Sequence, residues 1–263
     1  MINELTSLEI GDVITSKYNL IKQIGKGGMG NVVLAESKKL KNKWAIKVVK
    51  QSYEYAHYIL KEAEILEKIN HPNIPKIVDL LEDENNIYII ESYIEGTVLS
   101  EKIRSEGKID IDTALKYFIE LSELIEYLHN VKPNPIIYRD LKPNNIIVSY
   151  NNRLVLVDFS ISKFDGESEK TVIAGNKYFS SPEQMTLNEH SDTRSDIYSL
   201  GMIALRMITG NLNQTIDYSL SKYVEIPAGL KEIIEKCINY NQEDRYQEAS
   251  DLLDDLLAFR AYC

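Results

Sequence analysis

The sequence predicts an α+β fold in which a strand-rich first third precedes a helical remainder. Two observations carry this expectation. Residues 18–49 are short β-branched runs broken by turns, whereas from Ala114 onward apolar residues recur mostly at helical spacing. The simplest organisation is a small antiparallel-sheet lobe with one main helix over residues 1–92 and a larger helical lobe over 93–263.

The elements follow in order. YNLIKQI, NVVLAE and KWAIKVV read as three strands, separated by the glycine-rich turn GKGGMG and the lysine-rich turn KKLKNK. Residues 52–69 switch to helical spacing, and HPNIP stops that helix. IYIIESYI is one more strand, ended by Glu95-Gly96. Ala114, Phe118, Leu121, Ile125 and Leu128, spaced 4, 3, 4 and 3, then form the apolar stripe of an amphipathic helix. Two short apolar runs, at 146–148 and 154–157, flank an Asn-Asn turn. After Asp196 the chain reads helical, with breaks near Gly210, Pro227 and Asp244.

Composition excludes several classes. At 263 residues, 44% apolar and 27% charged, the chain has the make-up of an ordinary globular protein. A formal net charge of -10 argues against nucleic acid or an anionic membrane as the main partner. Two cysteines, Cys237 and Cys263, make neither a disulfide framework nor a metal cluster and fit a reducing, cytoplasmic compartment. The best apolar stretch, Leu200 to Ile208, is too short to span a bilayer and contains Arg206, so no membrane segment is expected.

Four groups of residues carry chemistry. Gly25, Gly27, Gly28 and Gly30 form a turn whose missing side chains let backbone N–H groups approach a polyphosphate. A tight hairpin explains such glycines equally well, but strands on both sides argue against the dinucleotide-binding turn, which needs a following helix. Lys47 lies inside an apolar strand, where a snorkelling side chain is the ordinary explanation. Here a partner can be named. Ile59, Glu62, Leu66 and Ile69 are spaced 3, 4 and 3, which places Glu62 in the inward stripe of the next helix. A carboxylate buried there wants a cation. Finally, YRDLKPNN (138–145) and DFS (158–160) bring Asp140, Lys142, Asn145 and Asp158 within twenty residues. Phosphoryl transfer needs this set: oxygen ligands for Mg²⁺, a cation on the phosphates, and a carboxylate beside the attacking hydroxyl. A solvated polar loop explains one aspartate, but not this loop arriving after the glycine turn, the lysine and its glutamate.

In that order the motifs resemble the protein kinase family, from about Tyr18 to Leu257. The family's GxGxxGxV, AIK, HRDLKPxN, DFG and APE read here as GKGGMGNV, AIK, YRDLKPNN, DFS and SPE, followed by SDIYSLG. The GGMG and SPEQ wording is similar to the eukaryotic-like Ser/Thr kinases of bacteria. The resemblance implies a bilobal kinase-like fold and an ATP- and Mg²⁺-dependent transfer of the γ-phosphate to Ser/Thr hydroxyls of proteins. It implies that Gly25, Gly27, Gly28 and Gly30 cover the phosphates of ATP. Val32 and Ala45 would lie above the adenine, Ile147 below it, and Ser92, Tyr93 and Ile94 would form the hinge. Lys47, held by Glu62, would grip the α- and β-phosphates. Asp140 would orient the hydroxyl, Lys142 would neutralise the γ-phosphate, and Asn145 and Asp158 would hold Mg²⁺. Glu183 would pair with Arg245, and Asp196 would anchor the catalytic loop.

Departures from the pattern keep alternatives open. Tyr138 replaces histidine, Ser160 replaces glycine, Asn176 stands where threonine is usual, and Glu91 falls at the gatekeeper position of the ATP pocket. A pseudokinase used as a nucleotide-binding or scaffolding module is one alternative, and a small-molecule phosphotransferase is another. The SPE segment and the long helical tail favour protein substrates. Thr171, four residues before Gly175, is the expected autophosphorylation site, with Arg139 as the cation that would receive its phosphate and a transient homodimer as the reacting form.

Overall fold

The structure, a computed structural model, describes residues 8–27, 30–52, 56–166, 178–186, 191–210 and 226–262. Gly28, Ser168, Thr171 and Asn176 lie outside the described residues. The chain divides into two compact units, Met1–Glu95 with Val155–Ser160, and Gly96–Leu154 with Ile161–Cys263.

The first unit is built on a five-stranded sheet. A short helix α1 (Asp12–Thr15) precedes β1 (Tyr18–Gly27), β2 (Gly30–Ser37) and β3 (Lys43–Lys50), and helix α2 (Ala56–Lys68) leads to β4 (Ile77–Glu82) and β5 (Asn86–Ser92). The strand order is β1-β2-β3-β5-β4 with every neighbour antiparallel. Side chains alternate across a strand, so each strand serves both faces. Ile46 and Val48 of β3 and Tyr88 and Ile90 of β5 pack with Ile14, Val33 and Ala35 on one face. Val49, Ile87 and Ile89 pack on the other, against Ile59 and Ala63 of α2. Burial on both faces explains why β5 reads as a continuous apolar run rather than an alternation. By the same parity Lys47 shares the α2 face with Val49, and Glu91 shares it with Ile87 and Ile89.

The second unit is mainly helical. Strand β6 (Gly96–Val98) pairs antiparallel with β8 (Ile146–Ser149), and the two-residue β7 (Ile136–Ile137) pairs with β10 (Lys163–Phe164). β9 (Leu154–Leu156) carries the chain into the 155–160 stretch of the first unit, where the Leu156 N–H donates to the Asn73 carbonyl at 2.9 Å. The helices are α3 (Leu99–Glu106), α4 (Ile111–His129), α5 (Thr193–Thr209), α6 (Ala228–Cys237) and α7 (Ala249–Tyr262). α4 packs on α5 and α7, and its predicted stripe from Ala114 to Leu128 is buried. Asp110 caps α4 by accepting from the Thr113 N–H, and Asp192 caps α5 by accepting from the Arg194 N–H. The cap starts α5 at Thr193, three residues before the Asp196 at which the apolar spacing places it. α5 is buried on all sides, and a Cβ at Gly201 would meet Cys237 Cβ at 2.6 Å, so only glycine lets α6 approach this closely. Among the described residues no helix is long and apolar enough to cross a membrane.

The α+β class read from the sequence is the one observed: an antiparallel sheet with one main helix in the first unit, and helices in the second. The strand β4 and the helix α3 are additions that the spacing does not reveal.

Candidate active site

The glycine turn joins two strands, as its flanks require, with Gly25 opposite Val32 and Gly27 opposite Gly30. Gly30 is the position that demands glycine. Its φ is 142°, and a Cβ there would lie 2.6 Å from the Val48 carbonyl oxygen. Among the described residues, chain neighbours aside, no atom lies within 4 Å of a Cβ placed at Gly27.

Lys47 sits opposite Val32, and Ala45 opposite Glu91, which puts all four on the sheet face that α2 covers. The Lys47 ammonium, buried, donates to Glu62 Oε2 at 2.6 Å and to Asp158 Oδ1 at 2.8 Å. Glu62 is in turn fixed by the Phe159 N–H, 3.0 Å from Oε1. Burial alone would lower the Lys47 pKa, but Asp158 and then Glu62 outweigh it and hold the ammonium above its ordinary value. Burial also raises Glu62, against the pull of Lys47. One cation therefore serves two carboxylates.

Asp158 has a left-handed backbone (φ 68°), a conformation aspartate tolerates better than most residues. Ser160, standing where the resemblance has glycine, donates its hydroxyl to Asp158 Oδ1, and its N–H lies 3.4 Å from the same atom. That bond is a consequence of the substitution that the motif alone does not announce.

Glu91 is half-buried. Burial, and then the nearby Glu62 charge, push it up to about 8, against Lys47. The sign of the linkage follows. A carboxyl raised from 4.5 to about 8 costs nothing while protonated in both states, and its penalty grows as pH rises from about 4.5 and is complete above about 8. Glu91→Gln is therefore expected to raise stability at pH 8–9 by about 1–2 kcal/mol, after discounting for partial exposure, and to change little at pH 5. Urea unfolding at both pH values checks it, and an equal gain at each would rule out the proton as the cause.

In the second unit, Asp140 lies just before the 3₁₀ turn Pro143–Asn145. Lys142 donates to both of its carboxylate oxygens, at 2.6 and 2.8 Å. The Asn145 amide nitrogen donates to Asp140 Oδ2 at 2.8 Å and to its carbonyl at 3.0 Å, which leaves the amide oxygen as the group that can meet a cation. The backbone before Asp140 is pinned from below. Asp196, fully buried, accepts from the N–H groups of Tyr138 and Arg139, both at 2.8 Å, and lies 3.0 Å from His129 Nε2. Gln184 Nε2 donates to the Arg139 carbonyl at 2.9 Å, and the Ser162 hydroxyl donates to the Tyr138 carbonyl. His129, Gln184 and Ser162 were not among the sequence candidates. His129 ends α4, and no local pattern joins it to a residue 67 positions away.

Arg245 donates to both oxygens of Glu183, at 2.8 and 2.9 Å, and both side chains are buried. Burial pushes the Glu183 carboxyl up, but the bonds and charge of Arg245 outweigh it and bring it down to about 2. Its contribution is therefore full above pH 4.5 and lost as pH falls through about 2. Arg245→Ala leaves a buried carboxylate without its cation, though still bonded by the Ser195 hydroxyl, and is expected to cost about 3–5 kcal/mol, whereas replacing both partners by apolar residues of similar volume should cost far less. Chemical denaturation of the single and double variants decides; equal losses would mean that packing, not charge, is what the pair supplies.

Of the residues assigned to the hinge, Ser92 ends β5 and Tyr93 and Ile94 follow it, and the Ser92 N–H donates to the Lys76 carbonyl at 3.0 Å. Ile147 lies in the second unit, opposite Val98 on β6. The family model of the protein kinase domain matches residues 18–261. The chain belongs to the protein kinase family. Its kinase relatives include a probable serine/threonine-protein kinase of Clostridium acetobutylicum, 31% identical over 94% of this chain and 40% of that protein. PrkC of Bacillus subtilis is 29% identical over 94% of this chain and 41% of its own length, and PknB of Mycobacterium tuberculosis is 28% identical over 93% and 43%. Both are named serine/threonine-protein kinases. This kinase-family chain spans about two fifths of the length of these curated relatives.

Proposed function

We propose that the chain is an ATP- and Mg²⁺-dependent kinase that phosphorylates serine and threonine hydroxyls of proteins and also phosphorylates itself, acting in the cytoplasm and pairing transiently with a second copy. The observation that supports this most is Asp140, a carboxylate gripped by the Lys142 ammonium and the Asn145 amide on a backbone tied to a buried aspartate.

Each residue has a task of its own. Asp140 orients the substrate hydroxyl and takes its proton as the new O–P bond forms and the bond from the γ-phosphorus to the β–γ bridging oxygen breaks, with ADP as leaving group. Lys142 neutralises charge on the transferred group. Lys47, already bound to carboxylates, offers its remaining donor capacity to the α- and β-phosphates. Gly25, Gly27, Gly28 and Gly30 would cover the phosphates, Val32, Ala45 and Ile147 would enclose the adenine, and Ser92, Tyr93 and Ile94 would bind its edge.

For the metal, Asp158 would bring a carboxylate and Asn145 an amide oxygen, each by its chemistry the kind of hard ligand Mg²⁺ prefers. Among the described residues no group of three or more His, Cys, Asp or Glu gathers as a metal site. That suits an ion taking most of its ligands from phosphates and water. When bound, Mg²⁺ would neutralise charge developing on the phosphates.

The test is incubation with labelled ATP and Mg²⁺, with and without a generic protein substrate. Label in the added protein supports the kinase reading, and label in the chain itself, mapped by mass spectrometry to Thr171 or elsewhere, tests self-phosphorylation. Nucleotide bound with no label transferred would mean a pseudokinase.

A further inference from the structure

Asp158 and Ser160 belong to the first unit, as do Lys47 and Glu62. Three donors meet on one oxygen there. Asp158 Oδ1 accepts from the Lys47 ammonium at 2.8 Å, from the Ser160 hydroxyl, and more distantly from the Ser160 N–H at 3.4 Å. Ser160 is buried, so bulk water does not compete for its hydroxyl.

Glycine, which the resemblance has at this position, would leave residue 160 with its N–H alone. A separation of 3.4 Å lies at the outer limit of an N–H···O bond, whose usual length is about 2.9–3.0 Å. The hydroxyl is therefore the stronger tie between residue 160 and the carboxylate. Serine stands there without backbone strain: among the described residues Asp158 has a positive φ and Ser160 does not.

A serine near an aspartate often bonds to it as part of an ordinary turn, with no further consequence. Two features set this one apart. The oxygen that Ser160 bonds is the one that takes Lys47, and Lys47 is tied to α2 through Glu62 at 2.6 Å. Glu62 also accepts from the Phe159 N–H at 3.0 Å, which closes a ring from Asp158 through Lys47 and Glu62 back to the backbone beside it. The terminal torsion of an aspartate is soft. Donors from β3 and from residue 160, converging on Oδ1, set the plane of this carboxylate and with it the direction of Oδ2. Groups that orient a metal ligand in this way are worth about 10–100-fold in metal affinity.

We propose that Ser160 is a positioning residue for the metal: its hydroxyl holds the Asp158 carboxylate ready to take Mg²⁺ with the nucleotide, a task glycine at this position cannot perform. The proposal rests on the reading of Asp158 as a Mg²⁺ ligand above.

Mn²⁺ titrations followed by electron paramagnetic resonance, with adenylyl imidodiphosphate at saturation, test it without turnover. Ser160→Ala and Ser160→Gly are expected to bind Mn²⁺ about tenfold more weakly than the wild type. Ser160→Thr keeps the hydroxyl and should recover most of that affinity. In an Asp158→Asn background Ser160→Ala should make no further difference, because no carboxylate remains to be oriented. In the kinase assay the Mg²⁺ concentration for half-maximal rate should rise by the same factor, and kcat at saturating Mg²⁺ should fall much less. Should the extra methyl of Ser160→Thr prevent folding, which thermal unfolding of the metal-free protein reveals, the alanine variant and its cycle with Asp158→Asn decide. Wild-type Mn²⁺ affinity in Ser160→Ala, or an equal loss in the Asp158→Asn background, overturns the proposal and leaves Asp158 as a ligand. Asp158→Asn binding Mn²⁺ as tightly as the wild type overturns the metal reading itself, and the proposal with it.

Discussion

Asp140→Asn is expected to cut turnover by about 10²–10⁴-fold while leaving nucleotide affinity nearly intact. The amide is isosteric with the carboxylate but is a far weaker proton acceptor, and only the carboxylate can take the hydroxyl proton in the transition state. The contacts within the second unit sharpen the expectation. Asp140 also receives two bonds from Lys142 and one from Asn145. An asparagine offers one acceptor oxygen where the carboxylate offers two, so Lys142 loses one bond and its fixed position. Some of the loss in turnover is therefore displacement of Lys142, and Lys142→Met added to Asp140→Asn should cost less than the product of the two single losses.

Asp158→Asn makes the contrasting case. Asp158 takes the Lys47 ammonium and the Ser160 hydroxyl on one oxygen. Its loss should appear as weaker Mg²⁺-nucleotide binding, with the defect partly relieved at high Mg²⁺. Steady-state kinetics against ATP and Mg²⁺ for both variants separate the roles. An Asp140→Asn enzyme with wild-type turnover would remove the assignment of Asp140 to the hydroxyl.

What the sequence reveals depends on the range of the interaction. The Lys47–Glu62 pairing is legible because each partner lies on a local period: Lys47 shares its sheet face with Val49, and Glu62 its helix stripe with Ile59 and Leu66. The pairing of Lys47 with Asp158 is not, because 111 positions separate the two. The protein kinase motifs supply that proximity from outside the local pattern. β4 was missed because IVDLLE alternates only weakly and follows a proline-broken stretch. α3 was missed because eight residues with two buried positions, Leu99 and Ile103, are too few to show a period. The two-residue strands β7 and β10 carry no pattern at all and exist through their pairing. Glu91 was legible as a misplaced carboxylate but not as one pushed up to about 8, since that shift comes from burial and then from the charge of Glu62, which another element brings.

Lys47→Met and Glu62→Gln are each expected to lower turnover by about 10²-fold, and the double variant to be little worse than the worse single one. The reason lies in how one ammonium is shared. Glu62 and Asp158 hold it from two sides, at 2.6 and 2.8 Å. In Glu62→Gln the side-chain carbonyl can still accept from the Phe159 N–H, which turns the amide NH₂ toward the ammonium. Two donors then face each other, and Lys47 is left to Asp158 alone. A displacement of even about 1 Å in a phosphate-positioning group can cost about 10²-fold. In Lys47→Met the cation is gone, and two carboxylates face a thioether. Glu62, already raised by burial, then takes up a proton more readily, because the charge that pulled it down is lost. Replacing Glu62 by glutamine in that background removes a group that no longer has an ammonium to hold, so little remains to be lost. The coupling energy from the four kcat/KM values should accordingly be close to the smaller single effect. A double variant whose loss equals the product of the two single losses would show that Lys47 and Glu62 act independently, and would take Glu62 out of the site.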